Sequence, residues 1–292
     1  MKGPRWRSLL YVPAHEARFV AKAHERGADA IILDLEDGVP DAAKDGARAN
    51  LADAVARCAS GGATVLVRID STWRRAWRDV EAAVAARAHG LLVPKVTDAG
   101  AIGVLSAFLG ELEQTAGRDG PTTPIVAVIE DARGVLAARA VAACPRVVAL
   151  VPGNEDLARD LRLDGDAEPF LATHTALLLA ARAEGKEVFG SVGSSAAFGD
   201  LDAFRSRAER ARRFGFRGVT CIHPSQIRVV HEVFAPSADE VTRAERIVAA
   251  YDAAGGGAVA VEGAMVDRPV ADRAREVLER AGEVREREGG RS

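Results

Sequence analysis

Eight apolar runs recur along the first three quarters of the chain, at 8–12, 30–35, 64–69, 91–96, 125–129, 147–151, 187–192 and 218–222. Most are rich in β-branched residues and lack the polar alternation of a half-exposed strand, which is how strands covered by helices on both faces read. Between them stand segments of helical period, such as 17–26 closed by Gly27, 73–88, and 201–214 closed by Gly215. Eight strand and helix alternations predict an α/β fold, a TIM (β/α)8 barrel, with an open doubly wound sheet as the alternative.

The pattern changes after His223-Pro224. A helix at 225–234 leads to Pro236, and a second helix runs through Tyr251 into Gly255-Gly256-Gly257. Residues 258–261, a turn at Glu262-Gly263 and residues 265–267 predict a small hairpin before a charged helix that starts at Pro269. A glycine triplet ahead of a small appended unit reads as a hinge. The expected division is therefore a catalytic barrel over 1–235 and a lid or oligomerisation segment over 236–292.

Composition narrows the classes. The 48% hydrophobic content supports a sizeable core, and the scarcity of aromatics, 5%, beside abundant alanine, valine and leucine suits helices packed on parallel strands. A formal net charge of -3 suggests neither nucleic acid nor membrane as a partner. Cys58, Cys144 and Cys221 are widely separated and in no paired spacing, so neither a disulfide framework nor a zinc site is expected. The first residues carry an apolar run too short for a secretion signal, and the expected location is cytoplasmic.

Candidate chemistry gathers at strand ends. The fifth run ends in Glu130 and the sixth spills into Gly153-Asn154-Glu155-Asp156. In a parallel barrel the carboxyl ends of all strands open on one face, so these acids converge unless they only decorate helix starts, where the helix dipole favours them. Converging carboxylates repel without a positive charge between them, and magnesium takes one or two carboxylates plus water and substrate. The second run ends in Asp34, Glu36 and Asp37, the third in Arg68, the fourth in Pro94-Lys95. Arg68 and Lys95 could simply neutralise the acids; Arg68 also has the planar fork suited to a carboxylate or a developing enolate oxygen. The Gly190–Ser195 stretch could be a plain turn or hold phosphate on its amides. His223, before a proline, is expected as a buried, hydrogen-bonded histidine, with an acid or base role as the alternative.

An ordered set of short motifs closely resembles the citrate lyase beta subunit-like proteins of the malyl- and citramalyl-CoA lyase superfamily. The set is Arg7-Ser8-Leu9-Leu10-Tyr11-Val12-Pro13, Gly27-Ala28-Asp29-Ala30 leading to Asp34-Leu35-Glu36-Asp37, Lys44 with Ala47-Arg48, Val67-Arg68, Pro94-Lys95, Ile129-Glu130, the Gly153 to Leu157 segment, and Ile222-His223-Pro224-Ser225-Gln226. It spans nearly the whole chain. The resemblance implies a magnesium-dependent TIM barrel that cleaves or forms a carbon–carbon bond in a short 3-hydroxyacyl thioester, such as malyl- or citramalyl-coenzyme A, giving an acyl-CoA and a 2-keto acid or glyoxylate. It implies Glu130 and Asp156 as metal ligands, with Glu36 and Asp37 one layer behind them. Arg68, Gly153, Asn154 and Glu155 would meet the substrate, and Asp267, in the tail motif, would be a catalytic acid reaching a neighbouring subunit's site. A homo-oligomer, trimer or hexamer, is implied, with the substrate brought by coenzyme A or an acyl carrier protein.

Departures from the family pattern are Asp131 where threonine is common, Val219 in place of a lysine, and the Gly190–Ser195 loop in place of an Ala-Ile-Asp-like triplet. Arg68 would steady the thioester enolate left when the bond breaks. The rival expectations are a thioesterase or a malate-synthase-like enzyme on the same thioesters, and a non-catalytic barrel that binds a keto acid.

Overall fold

The structure, a computed structural model, describes residues 3–118, 120, 122–163, 170–193 and 199–289. The chain divides into two compact units, Met1–His231 and Glu232–Ser292. In the first, strands β1 (Ser8–Pro13), β2 (Ala30–Asp34), β3 (Thr64–Arg68), β4 (Gly90–Val93), β5 (Ile125–Ile129), β6 (Val147–Pro152), β7 (Glu187–Val188) and β8 (Val219–Cys221) form one parallel sheet. Its order is β7-β6-β5-β4-β3-β2-β1-β8, and a parallel bridge between Phe189 and Gly218 joins the two ends, so the sheet closes into a barrel. Helices α1 (Ala17–Ala23), α2 (Lys44–Ala49), α3 (Leu51–Ala59), α4 (Trp73–Ala85), α5 (Ala99–Thr115), α6 (Ala132–Ala142), α7 (Asn154–Leu161), α8 (Leu171–Ala183) and α9 (Leu201–Phe214) fall in the crossovers. The unit boundary falls inside α10 (Ser225–Phe234).

Strand periodicity decides what enters the barrel. Side chains alternate between faces every second residue, and the buried inner cluster holds Leu9, Ile32, Leu66, Leu92, Val126, Val128, Val151 and Phe189, with Tyr11 packed on it. Two residues further along their strands stand Asp34 after Ile32, Arg68 after Leu66, and Glu130 after Val128. The apolar plug therefore carries a polar layer at the strands' carboxyl ends. Pairing reinforces it, since Asp34 and Arg68 are register partners across β2 and β3.

Two strands end three or more residues short of their apolar runs. β4 stops at Val93, because Pro94 has no amide to donate to a ladder, and Lys95 takes a left-handed φ of 52°. β7 keeps only Glu187–Val188, beyond which Gly190 turns away at φ 144°, against the Pro152 ring.

The second unit contains α11 (Ala238–Ala253), strands β9 (Val259–Val261) and β10 (Ala264–Val266) in an antiparallel hairpin, and α12 (Arg268–Gly289). Ser237 and Glu240 make a reciprocal capping box at the start of α11. Gly255 and Gly256, at φ 65° and 82°, close its end in the left-handed region where a side chain is strained. Tyr251, Val266 and Ala271 form its small core.

Candidate active site

The polar layer lines a cavity of about 400 Å³ at the carboxyl ends of the strands, bordered by Tyr11, Asp34, Arg68, Glu130, Asn154 and Asp156 among others. Asp34 is its most heavily bonded acid. Arg68 donates Nε to Asp34 Oδ1 at 2.6 Å and Nη2 to Oδ2 at 2.7 Å, a forked pair. The amides of Glu36 and Gly38 donate to the same two oxygens at 2.9 and 3.0 Å. A Cβ at Gly38 would collide with Asp34 Oδ2, so the loop needs glycine there. Burial works against the Arg68 guanidinium, but the Asp34 pairing outweighs it and holds its pKa above the ordinary value.

Glu36, 2% exposed, lies between two cations: Arg68 Nη1 at 2.9 Å and Lys95 Nζ at 2.9 Å. Asp37 is more exposed and stands 3.6 Å from Lys95 Nζ. The loop carrying these acids is fixed from behind by buried Lys44, which donates Nζ to the carbonyls of Leu35 and Glu36 at 2.8 and 2.7 Å and pairs with Asp70 at 2.9 Å. Lys44 was legible only as part of a motif; its role depends on a fold that brings 35, 36 and 70 together.

Glu130 is the acid left over. Its Oε2 accepts from the Lys95 amide at 3.1 Å, a bond made possible by the left-handed turn at Lys95. The Arg68 and Lys95 charges, however, are already engaged with Asp34 and Glu36. Burial, then the charges of Glu36 and Asp156, push the Glu130 carboxyl up to about 8, with Arg68 and Lys95 opposing. Gly153 leaves the room that this side chain fills: a Cβ there would collide with Glu130 Cγ and stand 2.8 Å from Oε1. Asp156, in the first turn of α7, pairs with Arg159 at 2.6 Å. Among the described residues no group of three or more His, Cys, Asp or Glu side chains could hold a metal. Two hard-oxygen carboxyls on one cavity wall, one of them a buried acid with no ion pair among the described residues, do fit a divalent cation that completes its shell with water and substrate.

Asn154 lines the cavity, but its amide is fully engaged. Nδ2 donates to the carbonyls of Ser191 and Gly193, both at 2.8 Å, and Oδ1 accepts from His174 Nε2 at 2.8 Å. His174, wholly buried between Phe170 and Phe216, is held down to about 4 by burial, with Arg210 adding to the shift, and so is neutral. Asn154 thus fastens the loop after β7 to the start of α7. Nothing in its sequence position pointed to His174. In the Gly190–Ser195 stretch, read as a plain turn or a phosphate site, the Ser191 and Gly193 carbonyls face Asn154, and Ser194 and Ser195 lie outside the described residues.

His223 is exposed rather than buried, because it lies past the end of β8, where it bonds Ser225 through Nδ1 at 2.8 Å. Asp131 caps α6 by accepting from the Gly134 amide at 2.6 Å, and Val219 is a fully buried β8 residue. Asp267, in the second unit, accepts from the Val270 amide at 3.3 Å at the start of α12. Tyr11 was read as one more apolar-run residue, yet two-residue alternation from Leu9 puts it on the inner face and into the cavity.

The model of the HpcH/HpaI aldolase/citrate lyase family matches residues 7–224. The chain belongs to that family. A model for carbon–carbon bond lyases of the TIM-barrel fold matches residues 195–283, and the protein is an enzyme of this citrate lyase beta-like type. It is 36% identical over 281 residues to a (3S)-malyl-CoA thioesterase of Cereibacter sphaeroides, covering 94% of this chain and 93% of that one. It is 35% identical over 291 residues to citrate lyase subunit beta of Escherichia coli K12, covering 97% and 95%. Among solved structures, CitE from Mycobacterium tuberculosis in complex with magnesium, acetoacetate and coenzyme A superposes with a TM-score of 0.76 at 32% identity, over 95% of this chain and 98% of that one.

Proposed function

We propose that this protein cleaves, or in reverse forms, the carbon–carbon bond of a short 3-hydroxyacyl-coenzyme A such as malyl- or citramalyl-CoA, with magnesium held by Glu130 and Asp156. The observation that carries the reading is Glu130: a buried carboxyl facing the cavity, with both neighbouring cations committed to other acids. The magnesium and coenzyme A bound by the Mycobacterium tuberculosis relative support it. When bound, the dication would lower the pKa of the substrate hydroxyl and stabilise the keto acid formed.

The chain's own residues do the rest. Gly153 leaves the room that the Glu130 side chain itself fills, so the carboxyl can lie at the cavity wall. Arg68, locked on Asp34 through Nε and Nη2 and on Glu36 through Nη1, keeps two of its five N–H donors for substrate at the cavity wall. Because Asp34 and Glu36 fix the guanidinium beforehand, little reorganisation is needed as charge develops on a thioester oxygen. Asn154 and Glu155 shape the same wall, and Asp37 stands behind Lys95. Asp267, brought by a neighbouring subunit of a homo-oligomer, takes the hydroxyl proton and returns one to the α-carbon; the resemblance supports this, and among the described residues its carboxylate accepts one long backbone bond, from the Val270 amide. The appended unit acts as the lid.

A second reading has a specific observation in its favour, the 36% identity to a malyl-CoA thioesterase. There, the same site hydrolyses the thioester. The deciding experiment is mass spectrometry of malyl-, citramalyl- and methylmalyl-CoA incubated with the protein, with magnesium or with chelator. Magnesium-dependent appearance of acetyl- or propionyl-CoA is the expected result. Free coenzyme A without a shortened acyl-CoA would replace the lyase by the thioesterase, and no product from any of them would leave a keto-acid-binding barrel.

A further inference from the structure

The phenol of Tyr11 has no place in the reading above, yet it stands among the groups that reading uses. Tyr11 lines the cavity together with Arg68 and Glu130. Its ring is held from two sides: it packs on the apolar plug, and the Arg68 guanidinium carbon lies 5.1 Å from the ring centroid. Two χ angles fixed in this way leave the hydroxyl little freedom. Among the described residues it makes no hydrogen bond, although the charges of Arg68, Asp34, Glu130 and Glu36 all bear on it.

Two of the neighbouring acids are already engaged. Each Asp34 oxygen already accepts from the guanidinium and from a backbone amide, and each Glu36 oxygen faces a cation. Burial, with Asp34, Glu130 and Glu36 adding and Arg68 opposing, raises the phenol above its ordinary range, so it is a proton-bearing donor at any working pH. A preorganised donor without an acceptor, beside a guanidinium, suits an oxygen that gains negative charge only as reaction proceeds.

We propose that the Tyr11 hydroxyl is a second hydrogen-bond donor, beside Arg68, to the thioester carbonyl oxygen as it becomes an enolate oxygen. This inference rests on the lyase reading. In the step, a base removes the proton of the 3-hydroxyl, the bond between carbons 2 and 3 breaks, and its electron pair passes to carbon 2 and onto the thioester oxygen. The hydroxyl oxygen becomes the carbonyl of the keto acid or glyoxylate. The protonated base then gives its proton to carbon 2, and no net proton is gained or lost. Tyr11 keeps its own proton throughout and only shortens its bond to the oxygen.

Tyr11→Phe isolates the hydroxyl, because the ring contacts with the plug and with Arg68 remain. Two rates are measured on wild type and variant: turnover of the cleaved thioester, and magnesium-dependent exchange of the α-protons of acetyl-CoA into deuterated water, followed by NMR. The expected result is a fall of about 10²-fold in kcat and in exchange, the scale of losing one such donor. KM, magnesium affinity and melting temperature stay within twofold or a degree of wild type. Equal turnover in the two proteins overturns the role of Tyr11 while the lyase stands. If wild type exchanges α-protons without cleaving any thioester, the lyase reading falls, and a slowed exchange in the variant still supports the donor. Loss of magnesium affinity in Tyr11→Phe, or absence of both reactions from wild type, overturns the proposal, since the phenol would then serve the metal site or have no enolate to hold.

Discussion

Replacing Glu130 by glutamine should make the metal-free barrel more stable at alkaline pH, although it removes a proposed ligand. The carboxyl is pushed from its ordinary 4.5 up to about 8 in the fold. The sign follows from proton binding. Below about 4.5 the group is neutral in both folded and unfolded chains and costs nothing. Between 4.5 and 8 the unfolded chain gives up its proton while the folded chain keeps it, so stability falls, and above 8 the loss is complete. The span from 4.5 to about 8, at about 1.4 kcal/mol for each tenfold change in proton affinity, comes to about 5 kcal/mol. Movement of Lys95 and Arg68 toward the ionised carboxylate and entry of water take part of this back, leaving an expected gain for Glu130→Gln of roughly 2 to 4 kcal/mol at pH 8.5. The glutamine oxygen can still accept from the Lys95 amide, so that bond is not lost. At roughly 2 to 4 °C per kcal/mol the variant should melt about 4 to 16 °C higher than wild type in chelator. The assay is thermal unfolding at pH 5 and 8.5, in chelator and in millimolar magnesium. At pH 5 the two proteins should nearly coincide, and magnesium should raise the melting temperature of wild type alone. An unchanged or lower melting temperature for the variant at pH 8.5 in chelator, or equal stabilisation of both proteins by magnesium, would refute the argument that Glu130 is a buried acid awaiting a cation.

Three further outcomes follow from the same geometry. Gly153→Ala, whose backbone at φ -88° tolerates alanine, should fold but drive its Cβ into Glu130 Cγ and displace that side chain; at least a tenfold weaker magnesium affinity by calorimetry is expected, at an overpacking cost of about 1 to 3 kcal/mol. Arg68→Lys keeps the charge but not the fork on Asp34, so turnover should fall roughly 10²- to 10³-fold with magnesium binding little changed; normal turnover would remove Arg68 from the reaction. Asp29 is buried and accepts from the Arg7 amide and side chain at 2.8 and 3.0 Å; burial raises its pKa, but Arg7 outweighs this and lowers it below 3.8. Asp29→Asn should therefore cost about 3 to 5 kcal/mol in urea unfolding near neutral pH, and the gap to wild type should narrow as pH falls below 3.8 and Asp29 itself is neutralised.

Much of this was legible in residue order because barrel strands are buried on both faces. The run at 125–129 is a strand over those same residues, and Leu201–Phe214 is a helix closed by Gly215, since its left-handed cap needs glycine. The ends of strands were harder to read, because apolarity continues where pairing stops: Val96 is as buried as a strand residue, yet it follows a proline and a left-handed lysine. Acids and bases at strand ends were visible as a class. Their pairing was not, and it is ion pairing that separates Asp34 and Glu36, each held by a cation, from Glu130, which has no ion pair among the described residues. Asn154 was expected to meet substrate; its amide instead binds three groups that lie 20 to 39 residues away in sequence, a pattern that only tertiary structure creates.

Tyr11 shows how far elementary alternation can be pushed. Once 8–12 is taken as a barrel strand, Leu9 and Tyr11 must share a face, and Leu9 is an inner-plug residue. A residue two places nearer the carboxyl end of that face lies at the mouth, as Asp34 does above Ile32, Arg68 above Leu66 and Glu130 above Val128. A tyrosine there carries its hydroxyl out of the plug and into the cavity, among those charges. The polar layer is thus a consequence of strand parity acting on four positions, two acids, one base and one phenol, and its chemistry depends on which of them the others leave unsatisfied. Arg68 satisfies Asp34 and shares Glu36 with Lys95, so the unspent groups are the Glu130 carboxyl and the Tyr11 hydroxyl, one suited to a cation and the other to an oxyanion.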